Sequence, residues 1–296
     1  MKIAFIATVC NEEKTIKPFL ESVLAQSRPP EEIIIVDAGS TDGTLKILKK
    51  YQQKSSMIRI IELKNANRSI ARNQAVKLAK NKLIAVTDAG CVADKHWLER
   101  ITAPFADKAV LSVAGFYRPI TNSLLQQAVA PFLAVMSDQF NPKTYLPSSR
   151  SLAFIKGTAW YPENLDYCED LVLAQSLKEA GKMAVVPEAL VYWQIPRSLR
   201  ELYTRVKNYA SGDVLAGWWP HLTKISTVYL RYILFYFFPP LFLAYLVWPI
   251  VKFNRYLKNP LGWLWLPLVQ LTCDLAVLRG SLAGLKLRLG NKAFGG

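Results

Sequence analysis

Val36-Asp37-Ala38-Gly39-Ser40-Thr41-Asp42-Gly43-Thr44 joins the end of an apolar run to an acidic, glycine-bearing turn. Just before it, Glu32–Val36 has the length and β-branched content of a buried strand, and Thr44–Gln53 after it has a helical pattern. Upstream, Ile3–Val9 predicts another buried strand. Asn11 then offers a cap to a helix from about Glu12 to Gln26, whose Ile16, Phe19, Leu20, Val23 and Leu24 share one face. Arg28-Pro29-Pro30 stops that helix. Downstream come a strand at Ile58–Leu63, a helix at Ile70–Ala79 and a strand at Leu83–Thr87. Strands alternating with helices predict an α/β domain, its sheet mostly parallel and covered by helices on both faces. Ligands of such sheets bind beyond the carboxyl ends of the strands. Thr8 to Glu12, Asp37 to Asp42 and Asp88 to Gly90 are therefore expected on one rim.

The middle of the chain is less regular. It predicts a strand near Val110–Phe116, a helix at Leu124–Met136, a loop rich in Asn, Pro and Ser to Arg150, and a strand at Leu152–Ile155. Asp166 to Ala180 reads as a helix ended by Gly181, Met183–Val186 as a last strand, and Ser198–Ser211 as a polar helix. Two greasy segments follow. Tyr232–Val251 has no charged residue but carries Pro239-Pro240 at its centre, and Pro260–Leu278 holds Asp274 and two tryptophans, Trp263 and Trp265. They read either as buried core helices or as membrane segments, and the aromatic flanks favour the membrane. If both crossed, the cations of the loop Lys252–Asn259 would face outward, so a re-entrant or interfacial hairpin fits the charges better. Residues 1–220 are thus expected to form the α/β domain and 221–296 a membrane-associated hairpin with a basic tail.

Composition agrees with this division. Hydrophobic residues make up 51% of the 296, and the mean hydropathy is +0.14. The net charge is +15. From His221 onward, nine cations (Lys224, Arg231, Lys252, Arg255, Lys258, Arg279, Lys286, Arg288 and Lys292) face one acid, Asp274. A basic, aromatic and apolar tail suits anionic lipid head groups. With no basic recognition helix and no zinc spacing, nucleic-acid binding is not expected. Cys10, Cys91, Cys168 and Cys273 form no CxxC pair and predict reduced thiols. The apolar run after Met1-Lys2 is too short for a signal peptide, so the front domain is expected in the cytoplasm, at the inner membrane.

Three acidic positions carry candidate chemistry, each with a plain structural alternative. Asp37 can accept from a nucleoside N–H or hydroxyl, or simply shape a turn. Asp88, at a strand end in Thr87-Asp88-Ala89-Gly90, can reach a divalent cation bridging a diphosphate, or cap a helix beginning near Ala93. Glu169-Asp170 opens a helix, where acids are favoured by the dipole, and a carboxylate there can also act as a general base.

Their order along the chain is more specific than any one of them. Thr8-Val9-Cys10-Asn11-Glu12, then the Asp37 turn, then Arg68-Ser69-Ile70-Ala71-Arg72-Asn73, then Thr87-Asp88-Ala89-Gly90-Cys91 with Trp97-Leu98, then Glu169-Asp170, resembles glycosyltransferase family 2 over residues 3–212. The resemblance implies the GT-A fold, a UDP- or GDP-type nucleotide-sugar donor, a Mg²⁺ or Mn²⁺ cofactor and an inverting mechanism. Thr8, Asn11, Glu12 and Asp37 would hold the donor's nucleoside end and Arg72 its phosphates. Asp88 would begin the family's metal-binding Asp-x-Asp motif, and Asp170 would be the catalytic base with Glu169 as its partner. Two departures stand out. Gly90 replaces the motif's second Asp, which leaves Asp94 as a nearby but equally surface-like carboxylate. Gln194-Ile195-Pro196-Arg197 lacks the Trp of processive polymer synthases. Arg200 and Arg205 offer a site for a lipid phosphate or line a solvated helix face. A lipid-linked or saccharide acceptor at the membrane surface is expected, in envelope polysaccharide or glycolipid synthesis.

Competing readings are weaker. A sugar-phosphate nucleotidyltransferase would show a glycine-rich first loop, and Ala7–Glu13 has no glycine. Dinucleotide oxidoreduction needs a G-x-G-x-x-G after the first strand, which is missing. A scaffold that kept the fold and lost activity is the reading Gly90 motivates.

Overall fold

Strand β1 (Ile3–Val9) is buried along nearly its whole length, as an apolar run flanked by two parallel neighbours must be. The computed structural model describes the backbone of residues 1–293 and the side chains of residues 1–290. Lys292 of the basic tail, as a side chain, and residues 294–296 lie outside the described residues.

The elements that position the site follow in order: α1 (Ile16–Leu24), β2 (Glu32–Asp37), α2 (Thr44–Lys54), β3 (Ile58–Glu62), α3 (Arg68–Leu78), β4 (Leu83–Val86), β5 (Cys91–Ala93), α4 (Trp97–Thr102) and β6 (Val110–Ile120). After these come α5 (Leu124–Leu133), β7 (Leu152–Ile155), α6 (Glu169–Ala180), β8 (Lys182–Gln194), α7 (Leu199–Ala216), α8 (Trp219–Phe237), α9 (Pro240–Phe253) and α10 (Trp265–Ala293). Eight strands form one sheet in the order β3-β2-β1-β4-β7-β6-β8-β5. The β1–β2, β2–β3 and β1–β4 pairs are parallel, as the strand–helix alternation predicts. Beyond β4 the pairing reverses, with β4–β7, β6–β7 and β5–β8 antiparallel. The sheet is therefore mixed.

Two compact units emerge. The first comprises residues 1–118 and 141–194, the second 119–140 and 195–296. In the first, Ile34, Val36, Ile84, Val86, Leu152 and Phe154 from the strands pack with Leu173 and Leu177 of α6. In the second, α10 lies against α7 so closely that a Cβ on Gly280 would fall 2.2 Å from the Lys207 carbonyl oxygen. One on Gly284 would fall 2.5 Å from that of Ser211. Small residues four apart are what admit such backbone approach.

Several boundaries differ from the sequence expectation for identifiable reasons. The first helix begins at Ile16 because Asn11 does not cap it; φ there is +56° and its side chain is engaged elsewhere. The last strand runs to Gln194, across Pro187 and Glu188, which read as a break. The greasy run Tyr232–Val251 is divided between α8 and α9 at Pro239-Pro240. Among the described residues one helical segment, residues 260–290, is long and apolar enough to cross a bilayer.

Candidate functional site

The loops that leave β1 and β2 are tied to each other by side chains. Asn11 Oδ1 accepts from the Thr41 N–H at 2.8 Å, while the Asn11 N–H donates to Ser40 Oγ at 2.9 Å. The Glu12 N–H donates to Thr44 Oγ1 at 2.8 Å and the Glu13 N–H to Asp42 at 3.1 Å. Asp37, at the end of β2, is buried. Its Oδ1 accepts from the N–H groups of Gly39 (2.8 Å) and Ser40 (2.6 Å), a turn that Gly39 makes possible at φ +100°. Its Oδ2 is buried with no protein partner. Thr8 pairs in register with Val36 one residue upstream.

The centre of the site is Arg72, buried on α3 and clasped by two acids. Nη2 donates to Asp88 Oδ1 at 2.8 Å and Nη1 to Glu169 Oε1 at 2.5 Å. Its guanidinium lies over the Tyr161 ring, 5.2 Å from the centroid. Tyr161 in turn shares a 2.9 Å hydrogen bond with Ser149. Burial works against the Arg72 charge, but Asp88 and Glu169 outweigh it and hold the guanidinium above its ordinary range. Burial likewise opposes the Asp88 charge, yet the Arg72 and Arg150 guanidiniums keep that carboxyl below the usual carboxylate range. Glu169 goes the other way. Burial, reinforced by the neighbouring Asp170 charge, pushes it up to about 7 despite Arg72.

Asp170 follows Glu169 in the first turn of α6 and accepts from the Leu171 N–H at 2.9 Å. The loop that delivers this pair is stitched to α3. Asn67 donates to the Glu163 carbonyl at 2.7 Å, Ser69 to that of Leu165 at 2.8 Å, and Asn73 exchanges two bonds with the Tyr161 backbone at 2.9 and 3.0 Å. Arg68 pairs with Asp166 and covers the Tyr167 ring at 4.4 Å. Cys168, at φ +67°, then turns the chain into α6.

The structure thus gathers Arg72, Asp88 and Glu169 around one guanidinium, with Asp170 next in chain, and joins Asn11 and Glu12 to the turn that follows Asp37. Asp88 does not cap a helix at Ala93, because Cys91–Ala93 is β5. Asp94 is occupied with the His96 N–H (3.0 Å) and Arg100 (3.2 Å). Arg200 and Arg205 stand on α7 in the second unit. Arg150 is the residue that sequence reading passed over. Its guanidinium lies 3.9 Å from the Trp193 ring centroid and 5.1 Å from that of Tyr117. An Arg closing a loop with no motif around it gave no signal.

Among the described residues no three His, Cys, Asp or Glu side chains gather into a metal-binding group. Asp88 offers one carboxylate, and a Cβ placed on Gly90 would meet nothing within 4 Å. One carboxylate beside open space fits a hard cation whose other ligands are phosphate oxygens and water.

The pattern of Glycosyl transferase family 2 matches residues 4–158. The chain belongs to that family. Among its relatives is the putative teichuronic acid biosynthesis glycosyltransferase TuaG of Bacillus subtilis, 35% identical over 99 residues, which are 33% of this chain and 39% of TuaG. The chain spans well under half the length of the first curated relatives it matches. Two solved structures share the GT-A fold of this chain. The mannosyltransferase PcManGT from Pyrobaculum calidifontis, in complex with GDP-Man and Mn²⁺, superposes over 100% of this chain and 76% of its own, with TM-score 0.58 and 16% identity. Residues 1–349 of TarS from S. aureus, in complex with UDP-GlcNAc, match 71% of this chain and 66% of that one, with TM-score 0.54 and 21% identity.

Proposed function

We propose that this protein is an inverting glycosyltransferase. It moves a sugar from a nucleoside diphosphate sugar to a hydroxyl of a lipid-linked or saccharide acceptor at the cytoplasmic face of the cell membrane, in envelope polysaccharide or glycolipid synthesis. The observation that carries this reading is the Arg72 clasp. One buried guanidinium fixes Asp88, on the donor side, to Glu169, the neighbour of the acceptor-side base.

In this reading the unpartnered Asp37 Oδ2 accepts a nucleoside N–H or hydroxyl, a buried acceptor being costly unless it is satisfied. Asn11 and Glu12 are tied from the β1 loop to the turn that follows Asp37. Asp88 would hold a divalent cation, which when bound would neutralise charge on the departing diphosphate. Asp170 takes the proton from the acceptor hydroxyl. The new C–O bond forms as the bond to the diphosphate oxygen breaks, its electron pair leaving with the diphosphate. The anomeric centre inverts and no sugar–enzyme bond forms. Glu169, buried beside Asp170 and bonded to Arg72, is more readily protonated than an ordinary carboxylate and holds the start of α6 in place beside the base. The envelope setting rests on relatives such as TuaG, and the donor class on the nucleotides in the two solved relatives.

The test is release of nucleotide by the detergent-solubilised protein from a panel of UDP- and GDP-sugars, with polyprenyl-linked acceptors and with Mn²⁺, Mg²⁺ or EDTA. Cation-dependent release of one diphosphate is expected. A folded protein that binds a donor and never releases nucleotide would instead be the inactive scaffold that Gly90 suggests.

A further inference from the structure

The helices α8 and α9 form a hairpin whose apex is bare. Tyr236 is 81% exposed and Phe237 75%, and Phe238, Leu241 and Leu243 beside them are also exposed. Pro239-Pro240 enforces the turn, since Pro240 can open α9 but cannot continue α8. The two arms meet near the apex. The Phe235 ring lies 5.6 Å from that of Phe242 and 5.2 Å from that of Tyr245, and the Arg231 guanidinium lies 4.8 Å from the Tyr245 ring.

Polarity is graded along both arms. α8 opens on exposed Trp219, carries exposed Thr223, Lys224, Ser226 and Thr227 over its first half, and has no charged residue after Arg231. α9 is apolar until Lys252, with Arg255 and Lys258 just beyond it. Lys224 and Lys252 each lie about 20 Å of helix from the apex, at 1.5 Å per residue. No Asp or Glu occurs between Trp219 and Leu264. An aromatic tip with a cationic collar and no acid matches an anionic lipid leaflet rather than a protein surface.

The dimensions exclude a crossing. With 14 residues, α9 is about 21 Å long, against a hydrocarbon core of about 30 Å. The apolar helix α10 has the length to cross, but Gly280 and Gly284 seat it on the backbone of α7. That helix carries Arg200, Glu201, Arg205, Lys207 and Asp213, which no bilayer core would accept alongside it. Deeper in the hairpin, Asp274 of α10 accepts from Arg231 (3.3 Å), Tyr232 (3.2 Å) and Tyr245 (2.5 Å), binding both arms to α10.

We infer that the α8–α9 hairpin dips its aromatic apex into one leaflet of an anionic bilayer and turns back without crossing. This rests on the membrane-surface part of the proposed function, and the experiment separates the two. The 296-residue chain carrying Cys10→Ser receives a single fluorophore at Phe237→Cys or Lys252→Cys; the other native cysteines are buried and Phe237 is exposed, so packing is undisturbed. Each form is floated with phosphatidylcholine vesicles with and without phosphatidylglycerol.

On anionic vesicles the label at 237 is expected to be quenched by lipids spin-labelled deep in the acyl chain and shielded from iodide. The label at 252 is expected to stay open to iodide added outside. Phe237→Glu should lower flotation at least tenfold while nucleotide release in detergent is unchanged. A protein that floats with position 237 open to iodide overturns the hairpin inference alone, as does a label at 252 that iodide reaches only from the lumen. A 237 label shielded in protein freed of detergent, before any vesicle is added, means a second copy covers the apex, and also overturns it. A protein that never floats removes the membrane from the proposed function as well.

Discussion

Arg72 Nη1 and Glu169 Oε1 meet at 2.5 Å across 97 residues of sequence, both side chains more than nine-tenths buried. The same guanidinium reaches Asp88. Two acids that would repel each other are therefore held by one cation, and α3, the β4 loop and α6 cannot shift independently.

Arg72→Met leaves Glu169 buried, and Asp88 half-buried, without their partner. Such a loss costs about 3–5 kcal/mol. Urea unfolding should show the lower midpoint, and nucleotide release should disappear even at temperatures where the variant is folded.

Asp170→Asn keeps the first-turn geometry of α6 and removes the proton acceptor. Transfer is expected to fall by at least ~10²–10⁴-fold. Donor affinity, measured by calorimetry, should stay within about twofold. Retained turnover would exclude Asp170 as the base.

Glu169 gives a pH signature. Its folded value of about 7 lies above the ordinary 4.5, so the folded protein holds this proton more tightly than the unfolded chain does. Its contribution to stability is therefore full below about 4.5 and is lost as pH rises through about 7. Glu169→Gln should flatten the fall in unfolding free energy between those values. An unchanged slope would contradict the assignment.

Asp37→Asn retains an oxygen for the Gly39 and Ser40 N–H groups and puts an amide where the unpartnered oxygen stood. A hydrogen bond to a charged group contributes about 1.5–3 kcal/mol. Donor affinity should drop roughly 10- to 150-fold, with thermal stability little changed.

Gly90→Asp tests the cation. A side chain there meets no neighbour, so the second carboxylate can be accommodated. The Mn²⁺ concentration for half-maximal nucleotide release is expected to fall about tenfold or more, and resistance to EDTA to rise. If the variant folds and its metal response does not move, Asp88 is not the cation's ligand.

Much of the first unit was legible because its strands are short, buried runs ended by polar turns. Asp37 and Asp88 stood out as acids at strand ends, and Glu169-Asp170 as an acidic pair opening a helix. The antiparallel half was less visible, because β8 runs through Pro187 and periodicity says nothing of which strand pairs with which. Asn11 looked like a helix cap, since an Asn before an apolar stripe usually is one; a left-handed backbone and a tie to Thr41 are tertiary facts. The Arg72 clasp and the place of Arg150 depend on residues 16 to 97 positions apart or outside any motif, which no local pattern encodes.

The second unit takes its pieces from both sides of residues 141–194. Gln126 of α5 donates to the Ile195 carbonyl at 3.3 Å, and its neighbour Gln127 accepts from the Lys258 N–H at 3.2 Å. On the ribosome, α5 is synthesised long before either partner exists. It must wait, apolar face uncovered, while β7, α6 and β8 are completed around the catalytic sheet. The order of synthesis therefore favours a finished first unit ahead of the second. A chain cut after Asp213 would leave α5 stranded without Lys258, so shortening this protein to make it more soluble should expose a new sticky surface in place of the old one.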